Sequence, residues 1–422
     1  MATLRPAWRT ADPPPRSGAS LLLLLLLPDA ASPTWGELAA PAPGLSPALL
    51  LPRVDTVDCD GLDLRVFRDN ITRAAQHSPC SNNQLQELPY NELSRLSGLR
   101  TLNLHNNLIS SEGLPDEAFE SLTQLQHLCV AHNKNNLISK VPRGALSRQT
   151  QLRELYLQHN QLTDSGLDAT TFSKLHSLEY LDLSHNQLTT VPAGLPRTLA
   201  ILHLGRNRIR QVEAARLHGA RGLRYLLLQH NQLGSSGLPA GALRPLRGLH
   251  TLHLYGNGLD RVPPALPRRL RALVLPHNHV AALGARDLVA TPGLTELNLA
   301  YNRLASARVH HRAFRRLRAL RSLDLAGNQL TRLPMGLPTG LRTLQLQRNQ
   351  LRMLEPEPLA GLDQLRELSL AHNRLRVGDI GPGTWHELQA LQVRHRLVSH
   401  TVPRAPPSPC LPCHVPNILV SW

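Results

Sequence analysis

An α/β solenoid with a curved parallel β-sheet on its concave face is the architecture that this 422-residue sequence predicts. Three observations predict it. The pattern L-x-x-L-x-L-x-x-N-x-L recurs along most of the chain, as at Leu178, Leu181, Leu183, Asn186, Leu188 and at Leu365, Leu368, Leu370, Asn373, Leu375. The asparagines of that pattern fall at regular steps. Aromatics make up only 3% of the residues while apolar types reach 41%, too few rings for an aromatic-centred core and too much apolar content for disorder.

The repeat unit has a physical logic. Its alternating leucines put one face of a short strand into a core, and neighbouring copies pair into a parallel sheet. The asparagine sits where the chain turns, and its amide satisfies backbone groups that would otherwise be buried unpaired. No copy can bury its own leucines, so stacking supplies the core. This is the leucine-rich repeat. The connections on the convex face are expected to be irregular, 3-10 or short helical.

The asparagines set the register: Asn83, Asn107, Asn133, Asn160, Asn186, Asn207, Asn231, Asn257, Asn278, Asn302, Asn328, Asn349 and Asn373. From Asn160 onward the steps run 26, 21, 24 residues three times over, a higher unit of 71. The 21-residue copies carry a Pro-rich connection such as Val191-Pro192-Ala193-Gly194-Leu195-Pro196, and the 26-residue copies carry Ser-Gly-Leu. The cycle breaks at Asn133-Lys134-Asn135-Asn136, where the end of one copy is fused to the end of another. Asn136 to Asn160 is 24 residues, so Asn136 should close a 21-residue copy, yet only 3 residues separate it from Asn133. Either 18 residues are absent there, or 89, which is 18 with one more 71-residue unit. Asn133 to Asn160 is 27 residues, close to a normal long copy, so the array is expected to heal.

Taken in chain order, Arg5, Arg9 and Arg16 precede the run Leu21–Leu27, and small residues follow at Asp29-Ala30-Ala31-Ser32. That order reads as a secretory signal peptide over 1–32. The run is too short to span a bilayer. Residues 33–52 read as a disordered linker, 53–83 as a remnant N-terminal cysteine cap with a degenerate first repeat, 84–393 as the solenoid and 394–422 as an irregular tail. Asn70-Ile71-Thr72 is an N-glycosylation sequon, which suits a secreted chain. The pairing of Cys59, Cys80, Cys129, Cys410 and Cys413 cannot be read from spacing. Cys410-x-x-Cys413 lacks a second cysteine pair, so an irregular tail is preferred to a zinc site.

The short-long-long alternation resembles the small leucine-rich proteoglycans, and the phrases Gly113-Leu114-Pro115 and Gly237-Leu238-Pro239 resemble the podocan branch of that family. The resemblance covers roughly residues 53–393. Asp58-Cys59-Asp60-Gly61-Leu62-Asp63-Leu64 is similar to the last part of the family's N-terminal cysteine cap. Of the four cysteines clustered in that cap only Cys59 is present, so its disulfide framework is not expected here. Ser78-Pro79-Cys80 occupies the leucine positions of the first strand, and the leucine pattern fails after Val393. Both ends look altered. The resemblance implies a secreted matrix protein that binds collagen, with growth factors as further partners.

No catalytic motif is present: no G-x-S-x-G, P-loop or H-E-x-x-H, and no carboxylate pair on one element. An enzyme, a cofactor and a metal site are not expected. His132, His159, His185, His230, His277 and His372 each precede a repeat asparagine, a column read as a solvated rim position and broken at Arg206. The Ser-Gly pairs at Ser97, Ser165 and Ser236 lack acidic neighbours and read as turn chemistry rather than glycosaminoglycan attachment.

Two surfaces carry the functional expectation. Tyr156, Tyr180, Tyr225, Tyr255 and Tyr301 are assigned to outward strand positions of the concave face, with Glu154, Glu179, Asp182, His203 and His253 beside them. Tyrosine is a low-entropy contact residue enriched at binding hot spots. The second surface is basic. Lys+Arg 46 against Asp+Glu 30 leaves +16, and only three of the cations are lysine. Arg268, Arg269, Arg271 and Arg315, Arg316, Arg318 repeat the spacing x-B-B-x-B-x, with Arg308, Arg312 and Arg321 extending the second set. Guanidinium forks in a row suit heparin-like sulfated glycans; nucleic acid is not expected as a partner. The competing readings are a soluble growth-factor or receptor-binding modulator and a cytosolic leucine-rich inhibitor.

Overall fold

The computed structural model describes residues 55–66, 73–88, 90–132, 138–386 and 388–391. The signal peptide, the linker, Asn70, Cys410, Cys413 and the tail lie outside them. All the described residues belong to the unit Pro52–Trp422.

Thirteen three-residue strands form one parallel sheet in chain order: β1 (His77–Pro79), β2 (Thr101–Asn103), β3 (His127–Cys129), β4 (Glu154–Tyr156), β5 (Tyr180–Asp182), β6 (Ile201–His203), β7 (Tyr225–Leu227), β8 (Thr251–His253), β9 (Ala272–Val274), β10 (Glu296–Asn298), β11 (Ser322–Asp324), β12 (Thr343–Gln345) and β13 (Glu367–Ser369). The central residue of each strand from β2 to β13 is a leucine, and all pair in register. Those leucines are buried, as are the flanking repeat leucines, so the core is one continuous column. Phe119, Phe172 and Phe314 fill it on the convex side. The connections are turns, short helices α1 (Tyr90–Ser94) and α2 (Ala214–Leu217), and 3-10 segments such as Asp164–Gly166 and Ser235–Gly237.

Two of the three Ser-Gly pairs, at Ser165 and Ser236, are explained by close approach, while Gly98 after Ser97 has open space around it. A Cβ on Gly166 or Gly237 would run into the backbone carbonyl of Ser139 or Arg210 on the preceding coil, where Val141 and Val212 donate their amides to the glycine carbonyls.

The asparagine ladder is nearly complete. Asn186 Nδ2 donates to the carbonyls of Leu183, Ser184 and, on the coil before, Leu157 at 3.0–3.1 Å, and its Oδ1 accepts from Leu162 N at 3.0 Å. Every described ladder asparagine except Asn160 ties three carbonyls and one amide across two coils in this way, satisfying backbone groups that a buried turn would otherwise leave unpaired.

The first coil departs from expectation. Cys59 and Cys80 form a disulfide, so the cap keeps a covalent closure by pairing with a cysteine of the degenerate repeat rather than with a clustered one. Ser78 in β1 and Cys80 just after it take the inward positions of this coil and are both fully buried. Thr56 bridges His77, and Leu64 N donates to Asn83 Oδ1 at 2.9 Å, so even this coil joins the ladder.

The coils on either side of the join are direct neighbours in the sheet. β3 pairs with β4 in register, His127 against Glu154 and Cys129 against Tyr156. Ser111 Oγ accepts from the amides of Ser139 (2.8 Å) and Lys140 (3.4 Å). Elsewhere the same inter-coil contact joins a 26-residue copy to the 21-residue copy after it: Asp164 to Thr189 N, Ser235 Oγ to Asp260 N, Ser306 Oγ to Thr331 N. A 24-residue copy therefore stands in the place of a missing 21-residue one. The join leaves one mark. Among the twelve described ladder asparagines, Asn160 alone has a buried Oδ1 without a partner.

Candidate partner-binding surfaces

The first and third residues of each strand face outward from the core, on the concave side. None of these positions in the thirteen strands is lysine or arginine, in a chain with 46 of them. Five are acidic: Glu154, Asp182, Glu296, Asp324 and Glu367. Arginine instead occupies the residue just before many strands, at Arg100, Arg153, Arg224, Arg271, Arg321, Arg342 and Arg366. The concave face is thus an acidic strip with an arginine edge. The sequence contained this signal, but it emerges only once every repeat is phased to its strand.

Tyr156, Tyr180 and Tyr225 lie on this face, half-buried. Tyr156 and Tyr180 pack at 5.0 Å between ring centres. Tyr255 and Tyr301 do not lie on it. Both follow their strands, Tyr301 occupies the position before an asparagine, and their rings sit against the histidine column: Tyr255 at 4.6 Å from His230, Tyr301 stacked on His277 at 4.6 Å. Glu179 likewise precedes β5 rather than lying within it. Period-2 counting over three-residue strands loses its phase at the turn, which is why sequence alone puts these three on the face.

Asp182 is committed internally. Its carboxylate accepts from Ser184 N at 2.9 Å and from Tyr180 Oη at 3.4 Å, and pairs with His203 Nδ1 at 3.3 Å. His203 Nε2 then meets Gln229 Nε2 at 2.8 Å. Burial pushes the Asp182 carboxyl upward, but His203 and the Ser184 amide outweigh it and hold it below the usual carboxylate range. Glu154 is also held low, by its hydrogen bond from His127, 3.1 Å away. Glu296 and Asp324 behave oppositely. Burial raises both, and Asp324 adds to the rise at Glu296.

The histidine column is not the simple solvated rim expected from sequence. The residue before each ladder asparagine, from Asn82 through His372, has a positive φ, mostly 51–57°. Glycine, asparagine and histidine suit that left-handed turn better than β-branched types. At the spacing of adjacent strands, roughly 4.8 Å, the rings stack: His132 on His159 at 3.6 Å and His159 on His185 at 3.7 Å. Burial and the neighbouring imidazoles push His159 down to about 3, and burial with Arg206 pushes His185 down to about 4. No group of three or more metal-ligating side chains converges among the described residues.

The basic surface divides. Arg315, Arg316 and Arg318 come together with Arg286 and Arg312 around a groove of about 820 Å3 on the convex side, floored by Ala265, Ala285, Val289 and Ala290. Arg268 and Arg269 are exposed but outside its lining. Arg271 is a strap, its Nη1 donating to Gly293 O on the next coil at 3.4 Å.

Geometry of this kind defines a class: a leucine-rich repeat solenoid built on one long parallel sheet. The leucine rich repeat family model matches residues 112–162, 134–188, 197–259, 268–330 and 339–393. Human podocan-like protein 1 is 76% identical over 500 aligned positions, covering 97% of this chain and 96% of that protein. Mouse podocan is 42% identical over 426 positions, covering 80% and 70%; mouse lumican is 34% identical and covers 49% and 64%. A chain in a solved complex of Latrophilin 3, Unc5D and FLRT2 superposes with a TM-score of 0.57 at 28% identity, covering 60% of this chain and 76% of that one. The chain belongs to the leucine-rich repeat family, in its podocan branch.

The lengths of these alignments can be set beside the two lengths read from the asparagine spacing. Against human podocan-like protein 1, 97% of 422 residues is about 409, set over 500 positions, so about 91 positions have no residue here. Against mouse podocan, 80% is about 338 over 426 positions, leaving about 88. Both totals are near 89 and far from 18.

Proposed function

We propose that this chain is a secreted, non-enzymatic matrix protein that binds collagen on its concave face and heparin-like sulfated glycans through convex arginines. The observation that carries the reading is charge segregation: a strongly basic chain whose outward strand positions hold five acids, three tyrosines and no lysine or arginine. An elongated ligand with basic and hydroxyl groups lies along such a strip, touching several coils at once, and the family relationship favours a matrix ligand of that form. Growth factors are the second class of ligand to test. No helix among the described residues is long and apolar enough to cross a membrane.

The deciding experiment is a solid-phase panel of collagens and growth factors. Tyr156→Ala and Tyr225→Ala should each weaken collagen binding by about 1–2 kcal/mol if they are hot spots, while the convex Arg244→Ala leaves it unchanged. Normal collagen binding by both tyrosine variants, with loss in the convex variant, would place the working face on the wrong side. Glycosidase sensitivity at Asn70 separates a secreted chain from a cytosolic one.

A further inference from the structure

We infer that sulfated glycans are held in a single built groove, the one lined by Arg286, Arg312, Arg315, Arg316 and Arg318, and that this groove grips the sugar ring as well as the sulfates. The inference rests on the sulfated-glycan reading above and narrows it. Three consecutive coils contribute: Ala265 from the connection after β8, Ala285, Arg286, Val289 and Ala290 from that after β9, and the other four arginines from that after β10.

Charge complementarity sets the ligand class. All five arginines are exposed, and among the described residues no ion pair or hydrogen bond ties any of their guanidinium groups, Arg312 being bonded only through its backbone amide to His310 Nδ1. The nearest acid in sequence, Asp287, accepts from Gly284 N at 2.7 Å and lies outside the lining. Five uncompensated guanidinium groups present forks matched to tetrahedral oxyanions. Their floor is apolar, with Val289 46% exposed, a surface that a bare polyanion cannot use and the C–H face of a sugar ring can. Adjacent coils are about 4.8 Å apart, so Arg286 and the Arg312–Arg318 group bracket a chain running across the coils. The motif at Arg268, Arg269 and Arg271 supplies no such floor, and Arg271 already holds its neighbouring coil.

The test uses the full chain on immobilised heparin, with elution by salt. Arg286→Ser/Arg312→Ser/Arg316→Ser should lose at least about tenfold in heparin affinity. The charge-matched Arg244→Ser/Arg268→Ser/Arg269→Ser should lose far less. Val289→Ser should weaken heparin binding while leaving retention by tripolyphosphate unchanged. Should the serine triple fail to fold, the Lys triple at the same positions keeps the charge and is expected to lose affinity through loss of the forks. If wild-type chain is not retained by heparin, or binds only phosphatidylserine vesicles, the sulfated-glycan reading falls and the groove with it. If wild type is retained but groove and control variants lose equally, the reading stands and the groove does not. Equal loss on heparin and tripolyphosphate for Val289→Ser removes the sugar-ring contact.

Discussion

Asn160 and Asn186 occupy the same place in consecutive coils, but only Asn186 has its Oδ1 bonded. Deleting a buried side chain that satisfies four backbone groups costs about 1–3 kcal/mol for each group left unpaired. Asn186→Ala should therefore destabilise more than Asn160→Ala, by about 1 kcal/mol or more in denaturant titrations, because Asn160 has no amide partner on the preceding coil to lose. The stacked imidazoles give a second test. His159 and His185 have folded pKa values pushed to about 3 and about 4, below the ordinary 6.5. The unfolded chain then binds more protons within that window, so stability rises with pH through it and is lost as pH falls from about 6.5. Thermal melts should drop between pH 7 and pH 5, and His159→Asn, which keeps a residue suited to positive φ, should flatten the slope. The asparagines were legible because a leucine-flanked turn needs an amide. The histidine stack was not. Sequence places those residues every coil, but nothing in one dimension says that a left-handed turn aims them at one another.

At the scale of single coils, contact with the coil before decides which residues are allowed. Gly166→Ala would drive a methyl group into the Ser139 carbonyl and should cost about 1–3 kcal/mol, as overpacking does. Gly98→Ala, with open space around the new carbon, should be near neutral; equal effects on the melting temperature would contradict the packing account. The disulfide also acts on a single coil. It closes a loop with a sequence separation of 21, so Cys59→Ser should lower the stability of the first coil by about 3 kcal/mol, read as loss of amide protection around His77–Pro79 before the rest. Pairing with Cys80 could not be foreseen from a cap motif that offered one cysteine. It needed the knowledge that β1 forms despite Ser78 and brings Cys80 beneath Cys59.

Across the whole array, fold class, register and the join were readable from asparagine spacing alone, since a fixed period is a one-dimensional property that survives folding unchanged. The residues of the proposed surfaces were readable only in part: Tyr156, Tyr180 and Tyr225 lie within strands of the sheet, Tyr255 and Tyr301 just after theirs, and the arginine groove drew on Arg286, which no local motif contains. Trypsin should find few productive sites between Leu178 and Leu351 despite the arginines there, because each bond lies in a coil held on both sides; rapid cleavage in that span would contradict a continuous core.

The join also resets distances along the molecule. The absent 89 residues amount to four coils, or about 19 Å of sheet at about 4.8 Å each. Inserting or removing them moves the two halves apart or together along the sheet while each outward residue keeps its place within its own coil. His127 meets Glu154, and His132 stacks on His159, only because that slide has happened. For a ligand long enough to reach both halves, such a protein differs from its longer relatives as a shorter ruler differs from a longer one: the same graduations, fewer of them, and a different pair of marks brought side by side.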